Sequence, residues 1–160
     1  MRIVVNLAEQ RLELFDDAGA PVRTWPVSTA ANGAGETSGS GCTPRGRHVV
    51  RAKIGGGMPV NTVFTGRRPT GETYRPELGA AEPERDWILS RILWLSGSEP
   101  GHNRLGANDT MRRYIYIHGT PDERFVQEPR SHGCIRMRNA DLLELFDLVP
   151  AYTPVEIREA

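Results

Sequence analysis

The sequence predicts a mainly β domain with one principal helix. Three observations predict it. Short runs rich in Val, Ile, Leu, Phe and Trp, bounded by Gly, Pro, Asn or Asp, recur along the chain. A clear apolar stripe of helical period occurs in one stretch, residues 139–150. The longest stretches between these runs are rich in Gly, Ser, Thr and Pro, the composition of loops. The 160 residues show no repeat and no linker, so a single domain over 1–160 is expected.

Taken in order, "RIVVNL" and "QRLELFDD" read as strands separated by a polar step. "DDAG" is a turn signal, and "PVRTWPVST" follows as a third strand of a meander. Residues 31–46 read as a loop, and "RHVVRAKI" as a strand. "GGGMPVNTVFTGRRPTGETY" reads mostly as loop, with "NTVFTG" as a short strand. Gly55–Gly57 is not a phosphate loop, because no helix follows and no GK[ST] is present. "DWILSRILWLSG" is apolar on both faces, and its Ile and Trp residues favour a strand buried on both sides over a helix. "SGSEPGHNRLGAND" reads as a loop. In "RRYIYIHG", Tyr114, Tyr116 and His118 share one face and Ile115 and Ile117 the other, with His118 at the strand end. "NADLLELFDLVP" is the helix. Asn139 is its expected cap, Leu142, Leu145, Phe146 and Val149 its apolar stripe, and Pro150 its stop. "TPVEIRE" closes the chain as a strand.

Formal net charge is zero, which offers no global attraction to nucleic acid or to an anionic membrane. Of the 20 basic residues only Lys53 is lysine. Residues 41–75 carry seven basic residues and one acid, Glu72, either as a solvated surface or as a groove for an anionic substrate. The opening apolar run is three residues, against the roughly 7–15 of a secretory core. A cytoplasmic protein is therefore expected, with a periplasmic or wall-associated one as the alternative if a leader was removed. Two cysteines do not make a disulfide framework, and free thiols are expected in a reducing compartment.

The chemistry concentrates in "RSHGCIRM", residues 130–137. Cys134 could be half of a disulfide, a metal ligand, an inert packed thiol or a nucleophile. Composition argues against a disulfide with Cys42. A zinc site needs three or four ligands, and the His and Cys residues here lack paired spacings, so no metal or other cofactor is expected. Ser131, His132, Gly133 and Arg136 are not core residues, which argues against an inert thiol. A nucleophilic cysteine needs a histidine, and His118 lies 16 residues upstream, with a Gly/Pro-containing loop between. Gly133 and Cys134 would present adjacent backbone N–H groups suited to an oxyanion. Arg136, if the segment is extended, faces the same side as Cys134 and could meet a substrate carboxylate.

"IYIHGT" followed by "SHGCIRM" closely resembles the L,D-transpeptidase catalytic domain, also called the YkuD domain. The resemblance extends to "VVNLAEQRLELFDDAG", "WPVSTA", the "TPRG" turn and "NADLLELFDLV" with the final "VEI". It implies a β-sandwich-like fold and acyl transfer on peptidoglycan stem peptides. Position by position, it implies Cys134 as nucleophile, His118 as its base and the Gly119 carbonyl as the group that orients the imidazole. His132 would shape the oxyanion site or serve structurally, Arg136 matches the family's common arginine, and Ser131 would brace the loop. Cys42, in "GSGCTPRG", would be a small packed thiol or line the pocket. The stretch "FTGRRPTGETYRPEL … RDWILSRILWLSG … GHNRLG" resembles a leaderless subgroup of cytoplasmic L,D-carboxypeptidases of peptidoglycan recycling. The implied partner is a muropeptide or free stem tetrapeptide, from which D-alanine would be released to water. Cross-linking transpeptidation is the alternative.

Overall fold

A computed structural model describes all 160 residues, Met1–Ala160. The opening meander forms as expected: β1 (Arg2–Asn6), β2 (Arg11–Phe15) and β3 (Pro21–Pro26) pair antiparallel in sequence. Alternation on β2 sends Leu12 and Leu14 to the core while Arg11 and Glu13 meet solvent. The other edge of β1 takes the last strand, β10 (Pro154–Arg158), in parallel, so the two chain ends lie side by side in the sheet. β10 then pairs antiparallel with β4 (Gly46–Ile54).

The hub is β7 (Ile88–Gly97). One of its edges carries β4 and then β5 (Thr62–Thr65), and the other carries β8 (Tyr116–Thr120). β8 pairs in parallel with β9 (Ile135–Arg138). The result is one ten-stranded curled sheet, mainly β at 41% strand, so the sandwich-like form arises from a single sheet curling on itself. The run that reads ambiguously in sequence is thus a strand. With pairing on both edges, β7 buries Leu89, Ile92, Leu93 and Leu95 completely. The principal helix, α2 (Asn139–Leu148), closes the core with Leu142, Leu145 and Phe146 against β7, β8 and β9, and ends just before Pro150.

Three elements escape the sequence reading. The segment read as loop after "NTVFTG" contains β6 (Arg68–Thr73), which hairpins back onto β5. β6 is almost entirely exposed, so it carries no apolar alternation to betray it. A second helix, α1 (Pro76–Ala81), spans only six residues and starts at a proline. β9 is four residues long and hidden beside the Gly-containing motif. β8 also begins later than its alternation suggests. Tyr114 has φ +55 and lies in a turn, and the strand starts at Tyr116. No helix is long and apolar enough to cross a membrane.

A polar seam fastens the loop after β7. Asn103 donates to the carbonyls of Arg45 and Arg47 at 3.1 and 3.0 Å, and its side-chain oxygen accepts the Glu99 N–H. Beside it His48 is buried between the Gly46 carbonyl and Thr110 Oγ1, each 3.0 Å away. Burial pulls its imidazole down from 6.5 to about 4. The unfolded chain therefore binds a proton between these values that the native state refuses. Stability that is present above pH 6.5 should be lost as pH falls through 4, to the extent of about 3 kcal/mol from this group. Urea unfolding at pH 7 and pH 4 would check it. Replacing His48 with Gln should flatten that part of the pH dependence.

Candidate active site

The parallel pairing of β8 with β9 sets Ile117 beside Ile135, His118 beside Arg136 and Gly119 beside Met137. Ile117, Ile135 and Met137 belong to the core cluster, so alternation puts Tyr116, His118 and Arg136 on the opposite face. Cys134 directly precedes β9 and continues that alternation. Its sulfur packs beside the Phe64–Ile92–Tyr116 cluster, and the Tyr116 N–H points at it from 3.3 Å. Sixteen residues of separation thus become neighbouring places on one sheet face. The chain after β3 clamps the motif. Ser28 exchanges backbone hydrogen bonds with Arg136, and the Ser131 N–H donates to the Thr29 carbonyl.

His118 is completely buried and lies within β8, not at its end as its neighbouring glycine suggests. Its Nδ1 lies 2.6 Å from the Gly119 carbonyl, which fixes the proton on Nδ1 and leaves Nε2 as the acceptor. Nε2 has no hydrogen-bond partner. Burial depresses the imidazole pKa, opposed by the Asp86 charge and the Gly119 hydrogen bond. Behind Gly119 stands a ring of three side chains. Ser90 Oγ donates to Asn139 Oδ1 at 2.7 Å, Asn139 Nδ2 donates to Asn61 Oδ1 at 2.9 Å, and the Asn61 N–H donates to Ser90 Oγ at 3.0 Å. A Cβ on Gly119 would collide with Asn139 Oδ1 and stand 2.6 Å from the Leu89 carbonyl, so this position requires glycine. Ser90 takes φ +73 where β7 shifts register between Leu89 and Ile92, a bulge beside the histidine. Asn139 therefore does not cap α2 as the sequence suggests. It is the first helical residue, and its side chain turns inward to this ring.

The sulfur of Cys134 donates to the Tyr114 carbonyl at 3.4 Å and accepts from Tyr116. Burial pushes the thiol up to about 12, more than the Tyr116 N–H lowers it. Thiol and imidazole are thus both neutral at pH 7, and the histidine is placed to act as a base, not as half of a standing ion pair. Ser131 is buried and braces the loop from inside, accepting the Gly133 N–H at 3.2 Å and donating to the Cys134 carbonyl. That bond corrects one expectation. The Gly133 amide is already engaged, and of the adjacent pair only the Cys134 N–H makes no hydrogen bond within the protein. Gly133 is at φ +133, and a Cβ there would press on Ile115 and the Cys42 carbonyl at 3.0 and 3.2 Å. His132 is exposed and lines two cavities. Cys42 and Cys134 are both free thiols.

Arg136 donates to Asp86 at 3.1 Å in the first of these cavities, together with Arg85, Arg124 and Trp87. The basic stretch 41–75 does not form one groove. Arg45 is held by Glu36 and Glu159, Arg47 by Glu99, and Lys53 by the Phe146 carbonyl at the end of α2. Only Arg67 is seen to reach the site face, stacked on Trp94 and Tyr114 and donating to the Tyr116 hydroxyl. The ring of Ser90, Asn139 and Asn61 escaped sequence reasoning, since an Asn at a helix start reads as a cap and the other two carry no pattern.

The model of the YkuD L,D-transpeptidase catalytic domain matches residues 1–157. The chain belongs to this family. A curated relative, the probable L,D-transpeptidase ErfK/SrfK of Salmonella typhimurium, is 31% identical over 157 residues, covering 97% of this chain and 43% of the relative. An L,D-transpeptidase from Mycobacterium smegmatis superposes with a TM-score of 0.60 at 19% identity, over 98% of this chain and 57% of that one. L,D-transpeptidase 3 from Mycobacterium tuberculosis, in complex with a faropenem-derived adduct, superposes with a TM-score of 0.58 at 16% identity, over 98% and 59%. These superpositions establish a shared fold. The chain spans less than half of the curated relative and under two thirds of these structures.

Two outcomes are expected of this YkuD site. In a Cys42→Ser background, alkylation of Cys134 by iodoacetamide should be slow at pH 7 and still climbing above pH 9. A plateau reached below pH 7 would reveal a standing thiolate instead. Asn139→Ala should cost about 1–3 kcal/mol in urea unfolding, because it strands Ser90 and Asn61 inside the protein.

Proposed function

We propose that this chain is a cysteine-dependent acyl-transfer enzyme acting on peptidoglycan stem tetrapeptides, with water as acceptor. The observation that carries the reading is the placement of Cys134 and His118 on one sheet face, with Nδ1 tied to the Gly119 carbonyl and Nε2 unengaged. As substrate arrives, the thiol turns from the Tyr114 carbonyl and gives its proton to His118 Nε2. The sulfur bonds to the carbonyl carbon of the third stem residue, and the free Cys134 N–H donates to the developing oxyanion. The C–N bond then breaks, the D-alanine amine takes the proton from His118, and a thioester remains. Water loses a proton to His118 and attacks the thioester. The sulfur leaves and recovers that proton, so a tripeptide is released.

Hydrolysis is favoured by where the resemblance to L,D-carboxypeptidases falls. "FTGRRPTGETYRPEL" and "RDWILSRILWLSG" supply Arg67, Arg85, Asp86, Trp87 and Trp94, which stand around the site face. The second reading, transpeptidation to an amine of another stem, is favoured by the names of the three relatives described above, two L,D-transpeptidases and one probable L,D-transpeptidase. The proposed setting is a cytoplasmic recycling step.

Incubation with a disaccharide tetrapeptide, followed by mass, separates these readings. Loss of one alanine residue with a free tripeptide product is expected, and a cross-linked dimer would replace hydrolysis by transpeptidation. Cys134→Ala should abolish turnover, a loss of at least about 10³-fold in kcat. Retained activity in that variant would remove the nucleophile assignment.

A further inference from the structure

The second cavity that His132 lines differs in charge from the first. The Arg136 cavity contains Glu84 and Asp86, and Asp86 neutralises Arg136 at 3.1 Å. The second is formed by the Ser38–Gly41 loop, Arg112, Arg113, Tyr114 and His132, with no acid in its wall. Arg112 is exposed and makes no ion pair. Arg113 is half-buried, and its guanidinium meets only uncharged acceptors. Nη1 donates to the Gly35 carbonyl at 3.2 Å, and Nη2 donates to Ser40 Oγ at 3.4 Å and the Cys42 carbonyl at 2.6 Å. The acid of the same loop, Glu36, is taken by Arg45 through two guanidinium hydrogen bonds of 3.0 and 3.1 Å and a third from the Arg45 backbone N–H. A half-buried cation with no carboxylate bonded to it bears a desolvation cost, and burial lowers the Arg113 pKa more than the Glu36 charge, acting from beyond contact, raises it.

This cavity abuts the nucleophile. The Tyr114 carbonyl accepts the Cys134 thiol, and Arg113 Nη2 lies 4.0 Å from where a Cβ on Gly133 would stand. The Arg113 charge acts on the Cys134 thiol, and the carboxylate of a leaving residue lies one residue step, ~3.8 Å, beyond the scissile carbonyl.

We propose that the Arg112–Arg113 cavity binds the free C-terminal carboxylate of the departing D-residue and makes the enzyme selective for peptides that end there. The proposal rests on the acyl-transfer reading for its substrate, while the anion site itself can be tested without turnover. An anion at this point supplies the direct ion pair that neither arginine makes within the protein, and Arg113 is already pre-organised by its three neutral acceptors. Arg136, matched to Asp86, has no such surplus to offer.

The test compares kcat/KM for a tetrapeptide ending in D-alanine with the same peptide ending in D-alaninamide. Wild-type protein should prefer the acid, and Arg112→Glu, at an exposed position, should reduce the acid-to-amide ratio roughly 10- to 100-fold, the scale of a charge-assisted hydrogen bond. Alongside it, N-acetyl-D-alanine is titrated into Cys134→Ser protein while the Arg113 Nε–H resonance is followed by NMR. A saturable shift is expected, absent when Arg112→Glu is added. An unchanged acid-to-amide ratio in Arg112→Glu overturns the assignment. Turnover without acid preference and without a resonance shift also overturns it, and leaves the acyl-transfer reading standing. No turnover of either peptide, with the resonance shift present and dependent on Arg112, upholds the anion site and removes the enzymatic reading.

Discussion

Two parallel strands in register, Tyr116–Thr120 and Ile135–Arg138, hold His118 opposite Arg136 and bring the Cys134 loop against Tyr116. Parallel neighbours cannot be joined by a tight turn, and a crossover of a dozen or more residues is required. Residues 121–134 are that crossover, and Cys134 sits at its end. The long interval between histidine and cysteine is thus a consequence of strand direction. The core depends on the same pairing, because Ile117, Ile135 and Met137 fill it from the other face. A slip of one residue would bury Arg136 and expose Met137, so packing enforces the register that the site needs.

Burial sets the charge state. His118 and Cys134 are each held in their neutral forms, one pushed down and the other up to about 12. Charge separation in such a site is costly until a substrate brings its own dipoles, which suits a base that acts during attack. The orientation of that base is secured from behind. The Gly119 carbonyl fixes the Nδ1 proton, and the Ser90–Asn139–Asn61 ring packs Gly119 so closely that no Cβ fits. Ser90 holds a left-handed backbone at the β7 bulge, a strain borne where it aligns the ring. The two cavities that share His132 then differ in electrostatics, one with acids beside its arginines and one with arginines and no acid.

Much of this was legible in the residues. The meander, the central apolar strand, the helix stripe of Leu142, Leu145 and Phe146, and the closing strand all carry their own period. So did the motif, where "HGT" and "SHGC" name the site residues before any contact is known. The exposed strand at 68–73 and the six-residue helix at 76–81 have too few buried positions to mark a period. Of the two readings of the basic stretch 41–75, the single groove fails for a different reason. Arg45, Arg47 and Lys53 lie close in sequence to one another but are taken up by Glu36, Glu99 and the end of the second helix.

By itself the sequence determined the fold class, the principal helix and the family, and singled out the candidate reactive side chains, because periodicity and motif are properties of neighbouring residues. Tertiary structure alone decided how those side chains are used. It engaged the Gly133 amide with Ser131 and turned Asn139 from a cap into a brace behind Gly119. It paired Arg136 with Asp86 and left Arg112 and Arg113 without a carboxylate in contact. Each of these outcomes depends on a partner 2 to 78 residues away in the chain. Which partner arrives is fixed by strand register and sheet curvature, and no local pattern encodes either.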